Sequence, residues 1–493
     1  MNTRILLIIV LTVLNLTATY SFAQSPSKSA DPQSLKLLET QGIEAMGEGR
    51  YMDAAETFAE YIKLRPKSFV GYYNLAAALS RADEIDASMQ AMTKAITIGF
   101  TDKRQMLRDP DLAQLRATPF FESLMESWDA VIQARREHDL AFISRLITRK
   151  MQRRTSEEYK LEIVSAHGQV ATDQALAELD LLANWAIDEL FVDERTPGYL
   201  DDLPWIMVAL PDKRGFLSWA ITVFGPGVRG NISSVGGAYE HQNRRLVAQD
   251  LGATYRHEFI HVLHWRDMSA RGHNHAPWIQ EGFASLVEDY NIVDAKLVPV
   301  PSWRTNIVKR LLKVHRLGTI ETLASTPMQQ FTSSRPLAKY AQARAVMLYV
   351  YENGKLNDFY QAYLQTYNSD PTGIKALEQA FNLEIDAIEK DYRKWIAALP
   401  TIPETGADLT ATLGIGIKNG SGDGVLVSSL PGSSRRRTGL HTQEVITAIN
   451  NRPTRDLFEF IRVLGDYRAG QTITLSTRRG IKHHQREVKL LAR

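Results

Sequence analysis

His257-Glu258-Phe259-Ile260-His261 is the stretch from which the fold and the chemistry of this chain are best predicted. Two histidines four residues apart lie on one face of an α-helix, one turn apart. Imidazoles in that arrangement can reach a single metal ion at about 2.0–2.1 Å. Glu258 follows the first histidine and can point at water on the ion. The segment therefore predicts a helix that carries a metal centre.

A catalytic metal centre needs a third protein ligand and an open fourth position. Asp267 and Glu281 are the two candidates for that ligand. A return of the chain from Asp267 would need a tight turn, but His264 stands where a glycine would permit it. Glu281 lies in a segment that reads as a second helix, which can pack against the first. Glu281 is the preferred ligand, and Asp267 is the alternative.

The segment around Glu281, Trp278-Ile279-Gln280-Glu281-Gly282-Phe283-Ala284, resembles a signature of the aminopeptidase N and glycyl aminopeptidase families. Both families are gluzincins with a thermolysin-like catalytic domain, and Gln280 replaces their common asparagine. Tyr340 stands 59 residues beyond Glu281, where these families carry a tyrosine that stabilises an oxyanion. The stretch from Gly236 to Asn243 resembles their glycine-rich, substrate-pairing strand, with one inserted residue relative to the glycyl aminopeptidase form.

The resemblance implies a zinc-dependent peptidase with one Zn²⁺ per chain, held by His257, His261 and Glu281. Glu258 would take a proton from water and pass it to the leaving amine. Tyr340 would stabilise the oxyanion; its alternative role is a plain core aromatic. The other reading of the whole chain is a catalytically retired peptidase fold that serves as a peptide- or protein-binding scaffold. The choice between aminopeptidase and endopeptidase stays open.

Two further groups of residues are expected around this site. Gly236, Gly237 and Ala238 would pair with the substrate backbone, and Glu240 would anchor a substrate amino terminus. A surface carboxylate is the alternative for Glu240. Glu288 lies seven residues beyond Glu281, so on a continued helix it would either hydrogen-bond a histidine ligand or face solvent.

The flanking segments predict interaction modules. Leu64-Arg65-Pro66 and Ile98-Gly99-Phe100 lie 34 residues apart, which resembles the period of the tetratricopeptide repeat. The stretch from Leu413 through Gly414 and Ile415 to Gly416 resembles the carboxylate-binding loop of a PDZ domain, although Thr442-Gln443-Glu444 departs from the usual turn. The alternatives are a generic helical hairpin domain and a small barrel that only packs on its neighbour. Protein partners are expected through both modules.

The predicted fold class is therefore multidomain α+β. It comprises tetratricopeptide-like helices over residues 35–125, a connecting helix over 126–157, a thermolysin-like gluzincin domain over 158–399 and a β-rich PDZ domain over 405–493. Residues 1–23 read as a signal peptide with Ala23 as its last residue, the alternative being an uncleaved anchor.

Composition narrows the remaining possibilities. The chain of 493 residues has no cysteine, which excludes disulfides and thiolate metal sites, and its net charge of +2 gives no indication of nucleic-acid binding. Export without cysteine favours the periplasm or exterior of a bacterium. No transmembrane segment is expected after signal removal.

Overall fold

A computed structural model describes residues 32–146, 151–191, 205–226, 236–240 and 244–493, and the chain is mixed α+β. The predicted signal peptide, residues 1–23, and residues 241–243 of the glycine-rich stretch lie outside the described residues. No helix within the described ranges is long and apolar enough to cross a membrane.

The N-terminal part is a series of short helices that pack side by side. Buried alanines such as Ala54, Ala76 and Ala95 let neighbouring helices approach closely, around the rings of Tyr73 and Phe100. The helices are α1 (Pro32–Gly47), α2 (Tyr51–Leu64), α3 (Phe69–Arg81), α4 (Ile85–Ile98), α5 (Lys103–Arg108), α6 (Ala113–Arg116) and α7 (Pro119–Glu126). The predicted helical pairs are present, and their assignment to a repeat family stays a prediction.

The connecting segment differs from the prediction. Helix α8 (Trp128–Leu146) is followed by strand β1 (Gln152–Ser156), so the prediction of a helix through residues 126–157 was wrong at its C-terminal end. Strand β1 pairs antiparallel with β2 (Leu161–Ser165). Arg153 on β1 bonds the carboxylate of Glu162, which is 1% exposed and must be paired because a buried charge is costly. The basic residues of this segment did not indicate that Arg153 would pair with a buried carboxylate on a neighbouring strand.

The central part is built on a five-stranded sheet with the order β1-β2-β3-β5-β4. Strands β2, β3 (Ile206–Leu210) and β5 (Arg245–Ala248) are parallel, and β4 (Gly237–Glu240) is an antiparallel edge strand. The parallel strands are buried along their whole length, as expected for strands covered on both faces. Helices α9 (Gln169–Glu189) and α10 (Lys213–Phe224) follow β2 and β3.

Helices dominate the remainder of the central part, from residue 253 to residue 398, but one hairpin interrupts them. That hairpin is β6 (Tyr290–Val293) with β7 (Lys296–Pro299). The helices are α11 (Ala253–Arg271), α12 (Pro277–Leu286), α13 (Trp303–Lys313), α14 (Ile320–Ala324), α15 (Met328–Ser333), α16 (Pro336–Glu352), α17 (Leu356–Thr366), α18 (Ile374–Phe381) and α19 (Ile385–Ala398).

The C-terminal part is rich in short strands around its own apolar cluster. Its main sheet has the order β14-β13-β11-β10-β9, with β12 beside β11. The elements are β8 (Ala411–Thr412), β9 (Gly416–Asn419), β10 (Val425–Ser429), α20 (Gly432–Thr438), β11 (Val445–Ile449), β12 (Arg452–Pro453), α21 (Leu457–Gly465), β13 (Thr472–Arg479), β14 (Lys482–Lys489) and β15 (Leu491–Ala492). These residues are β-rich, as the sequence predicts, and two helices, α20 and α21, accompany the strands.

The predicted carboxylate-binding loop lies at the start of this sheet. Leu413, Gly414 and Ile415 precede β9, and Gly416 is its first residue. Gly414 adopts a φ of 62°, which glycine reaches without strain, and Ser434 Oγ donates a hydrogen bond of 2.6 Å to its carbonyl. Strand β9 is the sheet edge, so peptide binding there stays a prediction.

Candidate metal centre

Two consecutive helices bring the predicted ligands together. Helix α11 begins after the buried strand β5 and ends at Gly272, whose φ of 68° suits a left-handed helix cap. Pro277 opens α12 at the first helical position, where the missing N–H costs nothing. The short connection folds α12 back onto α11, and the face that carries His257 and His261 meets Glu281.

The ligand atoms of the three residues form a near-regular triangle. His257 Nε2 and His261 Nε2 are 3.1 Å apart, and Glu281 Oε2 lies 3.2 Å from the former and 3.5 Å from the latter. Zinc–ligand bonds of 2.0–2.1 Å imply tetrahedral edges of about 3.3 Å. The three donors therefore have the spacing of one tetrahedral face, and all three residues line the adjoining cavity.

The chemistry of the donor set also fits zinc. Glu281 Oε2 is buried and receives no hydrogen bond of acceptable geometry within the described part of the chain. A buried carboxylate oxygen without a donor is costly unless a cation satisfies it. Burial favours the neutral acid, but His261 and His257 hold the pKa of Glu281 well below its usual range. Two imidazoles and an ionised carboxylate are zinc ligands.

Glu288 orients one of the histidines, as one of its two predicted roles required. Its Oε1 lies 2.9 Å from His257 Nδ1, and Arg304 donates to both carboxylate oxygens at 2.5 and 2.8 Å. Burial opposes ionisation, but Arg304 and His257 lower the pKa of Glu288 to about 2. Burial likewise opposes a charge on His257, yet the neighbouring carboxylates of Glu281 and Glu288 raise its pKa to about 10. The solvent-facing alternative for Glu288 is wrong, since it is 4% exposed.

A cavity of about 270 Å³ adjoins the three ligands and also contains Glu258 and Tyr340. Burial raises the pKa of Glu258, and the nearby histidines counteract this. Burial, followed by the charges of Glu281 and Glu258, raises the pKa of Tyr340 so that its hydroxyl stays protonated. The site thus presents a carboxylate that can accept a proton and a phenol that can donate a hydrogen bond.

One wall of this cavity is the edge strand β4. Gly237, Ala238 and Tyr239 line the cavity there. A Cβ at Gly237 would lie 2.7 Å from the Val247 carbonyl oxygen and 3.1 Å from Glu258 Cγ, so only glycine lets β4 approach α11 this closely. Gly236 lies just before the strand, in equally close contact with Thr254.

Glu240, unlike its strand neighbours Gly237 and Ala238, is not among the residues that line the cavity. Side chains alternate along a strand, so Glu240 shares the face of Ala238, which packs against α10. There Trp219 Nε1 donates a hydrogen bond of 2.9 Å to its Oε1, and Arg245 Nη1 lies 3.5 Å from the same atom. The prediction that Glu240 anchors a substrate amino terminus is therefore not supported by its position.

The rejected third ligand is engaged elsewhere. Asp267 accepts hydrogen bonds from Arg271 Nε at 3.1 Å and from the Tyr360 hydroxyl. His264 Nε2 lies 2.7 Å from His275 Nδ1, in a row of histidines that continues to His273. Across the ranges that the structure describes, His257, His261 and Glu281 are the three residues grouped closely enough to hold a metal ion.

Several residues around the site could not be recognised from the sequence. Arg304 lies on α13, sixteen residues beyond Glu288, and nothing in its surroundings marks it as a partner of that carboxylate. Arg256 precedes His257 but is fully buried, with acceptors on three other segments. The cavity also includes Met268, Gln280 and Met328, which are ordinary residues on helices.

Comparison with known proteins gives only distant likenesses. No protein-family model matches the chain. Over 92 residues the chain is 28% identical to a chloroplastic protein from Arabidopsis thaliana, a match that covers 18% of this chain and 28% of that protein. A crystal structure of an aminopeptidase N family protein from Idiomarina loihiensis is similar with a TM-score of 0.27 and 14% identity, over 70% of this chain and 67% of that one. Neither likeness shows a family, so the site geometry carries the functional assignment.

Proposed function

We propose that this protein is a zinc-dependent peptidase that hydrolyses peptide bonds of peptides or proteins. The observation that carries the proposal is the triangle of His257 Nε2, His261 Nε2 and Glu281 Oε2, with edges of 3.1, 3.2 and 3.5 Å. Glu258 and Tyr340 share the cavity beside it. A gluzincin of thermolysin-like fold has this set of groups. When bound, zinc supplies Lewis acidity, which lowers the pKa of water and polarises a carbonyl group.

Each residue then has a distinct task. Glu258, whose pKa burial raises, takes a proton from the attacking water and delivers it to the leaving amine. The Tyr340 hydroxyl donates a hydrogen bond to the oxygen on which negative charge develops. The exposed edge of β4 offers backbone groups that pair with an extended substrate. A retired scaffold would have no need to keep all of these groups in one cavity.

The setting of the enzyme is part of the proposal. The sequence pattern of residues 1–23 supports export to a bacterial periplasm or exterior. Tetratricopeptide-like helices and a PDZ domain would contact protein substrates or partners on either side of the catalytic part. The separate apolar clusters of the N-terminal and C-terminal parts support modules of this kind.

A digest of a peptide library by the wild type and by Glu258→Gln tests the proposal. Both proteins should bind one zinc per chain, as measured by metal analysis, because Glu258 is not a ligand. Hydrolysis by the variant should fall by roughly 10²- to 10⁴-fold, the usual contribution of a general base. Equal cleavage by the two proteins, or a wild type without zinc, would contradict the assignment.

A further inference from the structure

The C-terminal part of the chain, residues 405–493, contacts the very start of the metal helix α11. The Leu251 N–H donates a hydrogen bond of 2.9 Å to the Gly422 carbonyl oxygen. A Cβ at Gly252 would lie only 2.8 Å from Arg455 Cβ, so the two backbones approach closely. The helix that carries His257 and His261 therefore begins against the C-terminal part.

Arg256 links that contact to the metal centre. It is fully buried on α11, and its Nη2 donates to Glu459 Oε1 on α21 at 3.2 Å. The same guanidinium donates to Glu178 Oε1 at 3.0 Å. Its Nε and Nη2 reach the carbonyl oxygens of Val287 and Glu288 at 3.0 and 2.6 Å. These contacts hold Arg256, the residue before His257, in place. Arg256 in turn holds the backbone of Glu288, whose carboxylate contacts His257.

Helix α21 holds the same region from a second side. Arg462 Nε lies 3.0 Å from Asp289 Oδ1, and its Nη2 donates to the Tyr290 carbonyl oxygen at 3.2 Å. Asp289 and Tyr290 directly follow Glu288. Helix α21 therefore contacts the side chain of Arg256, which precedes His257, and also Asp289 and Tyr290, which follow Glu288.

Loss of one of these contacts would shift the groups that position His257. A buried arginine deprived of a carboxylate partner is strongly unfavourable, so the surrounding groups rearrange. The guanidinium also satisfies the carbonyl groups of Val287 and Glu288, and its displacement would free the backbone that holds Glu288 against His257. Metal sites lose affinity or activity when the groups that orient their ligands are loosened.

We propose that Glu459 is a positioning residue of the metal centre, acting through Arg256, and that residues 405–493 are a structural part of that centre. This inference depends on the metal centre of the proposed function. It goes beyond that function because a tethered recruiting module would leave the zinc ligands unaffected.

The full-length protein and its Glu459→Gln variant provide the test. Zinc affinity is measured by competition with a chromophoric chelator, and the geometry of the site by the visible absorption bands of the Co²⁺-loaded protein. The variant should bind zinc about tenfold more weakly, at the lower end of the range for groups that orient metal ligands. Its cobalt bands should shift, and kcat should fall more than KM changes.

Glu444→Gln is the matched control. Glu444 is also a buried, arginine-paired glutamate of the C-terminal part, but Thr477 and Arg486, which donate hydrogen bonds to it, lie within that part. Its substitution should lower stability without changing zinc affinity or the cobalt bands. If both variants weaken zinc binding equally, or if Glu459→Gln binds within twofold of the wild type with unchanged bands, the inference is overturned.

Two further measurements keep the outcome decisive. If Glu459→Gln does not fold, Arg462→Gln removes the second contact of α21 and should shift the cobalt bands, and unchanged bands would overturn the inference. A wild type that binds zinc but cleaves no peptide would refute the proposed function, while its zinc affinity would still test the role of Glu459.

Discussion

His257 Nδ1 and Glu288 Oε1 are 2.9 Å apart, and the carboxylate of Glu288 is held in turn by Arg304. This contact fixes the ring orientation of His257 and turns its Nε2 toward His261 Nε2 and Glu281 Oε2. The histidine is therefore preorganised before a metal ion arrives.

Substitution Glu288→Gln should weaken zinc binding by about 10- to 100-fold, the range known for partners that orient a ligand. An amide is neutral and leaves Arg304 without its carboxylate. Competition with a chelator measures the effect. Glu162→Gln, which also removes a buried carboxylate bonded to arginines, is the control and should bind zinc normally. Unaltered zinc affinity in Glu288→Gln would show that the hydrogen bond does not orient the ligand.

Substitution Tyr340→Phe should lower kcat by about 10²- to 10³-fold with little change in KM, because the lost hydroxyl would act mainly on the oxyanion of the transition state. The ring itself should stay in place, since it packs edge-on against Phe331 with centroids 5.3 Å apart. Steady-state kinetics on a cleaved peptide and the zinc content measure the two effects. A fully active Tyr340→Phe would return Tyr340 to the role of a core aromatic.

Substitution Glu240→Gln should leave hydrolysis of short peptides within about twofold of the wild type, because its carboxylate binds Trp219 and Arg245 rather than the cavity. Loss of the buried ion pair should instead lower the melting temperature. A peptide with a free amino terminus and its N-acetylated form provide the comparison. A selective loss of activity on the free form would restore Glu240 as an amino-terminal anchor.

Asp456, the N-cap of α21, should make stability depend on pH. Burial, with repulsion from Glu459 and Asp250, raises the pKa of Asp456 from 3.8 to about 7. The folded chain then holds a proton that the unfolded chain releases near pH 4. The contribution of Asp456 to stability is therefore complete below pH 4 and is lost as the pH rises through 7.

Asp456→Asn should remove this dependence while keeping the N-cap, since asparagine caps helices as well as aspartate. At pH 8 the variant should be more stable than the wild type by at least about 1 kcal/mol, because one pKa unit corresponds to about 1.4 kcal/mol. The difference should vanish or reverse at pH 4. Denaturant unfolding at a series of pH values measures it, and the exposed Asp466→Asn is the control. Parallel curves for wild type and Asp456→Asn would contradict the assigned burial.

The grouping of His257, His261 and Glu281 could be predicted from the sequence because it is local: the histidines are one helical turn apart, and Glu281 follows on the next helix. The choice of Glu281 over Asp267 also rested on the resemblance of residues 278–284 to the aminopeptidase signature. Asp267 is the less favoured ligand because His264 stands where a glycine would permit a tight turn. In the structure Asp267 accepts hydrogen bonds from Tyr360 and Arg271.

The contacts that the sequence did not disclose are those between distant segments. Arg256 and Glu459 are 203 residues apart, and no local pattern joins them. The sequence could not show which face of β4 carries Glu240, because that depends on the position of Trp219 on α10, which donates a hydrogen bond to Glu240. The strand Gln152–Ser156 lies in a segment predicted to be helical, because it depends on pairing with β2, where Glu162 bonds Arg153.

Gly236 and Gly237 have a consequence for which peptides the cleft would accept. Beside Glu258 the wall at Gly237 contributes only main-chain atoms, and the nearest side chain on that face of β4 is Tyr239, whose ring lies against Trp265. Such a surface can recognise the extended backbone of a peptide but not its side chains, since every peptide carries the same backbone. Discrimination among sequences would therefore fall to the parts of the cleft farther from the scissile bond, and cleavage beside β4 would tolerate many different residues.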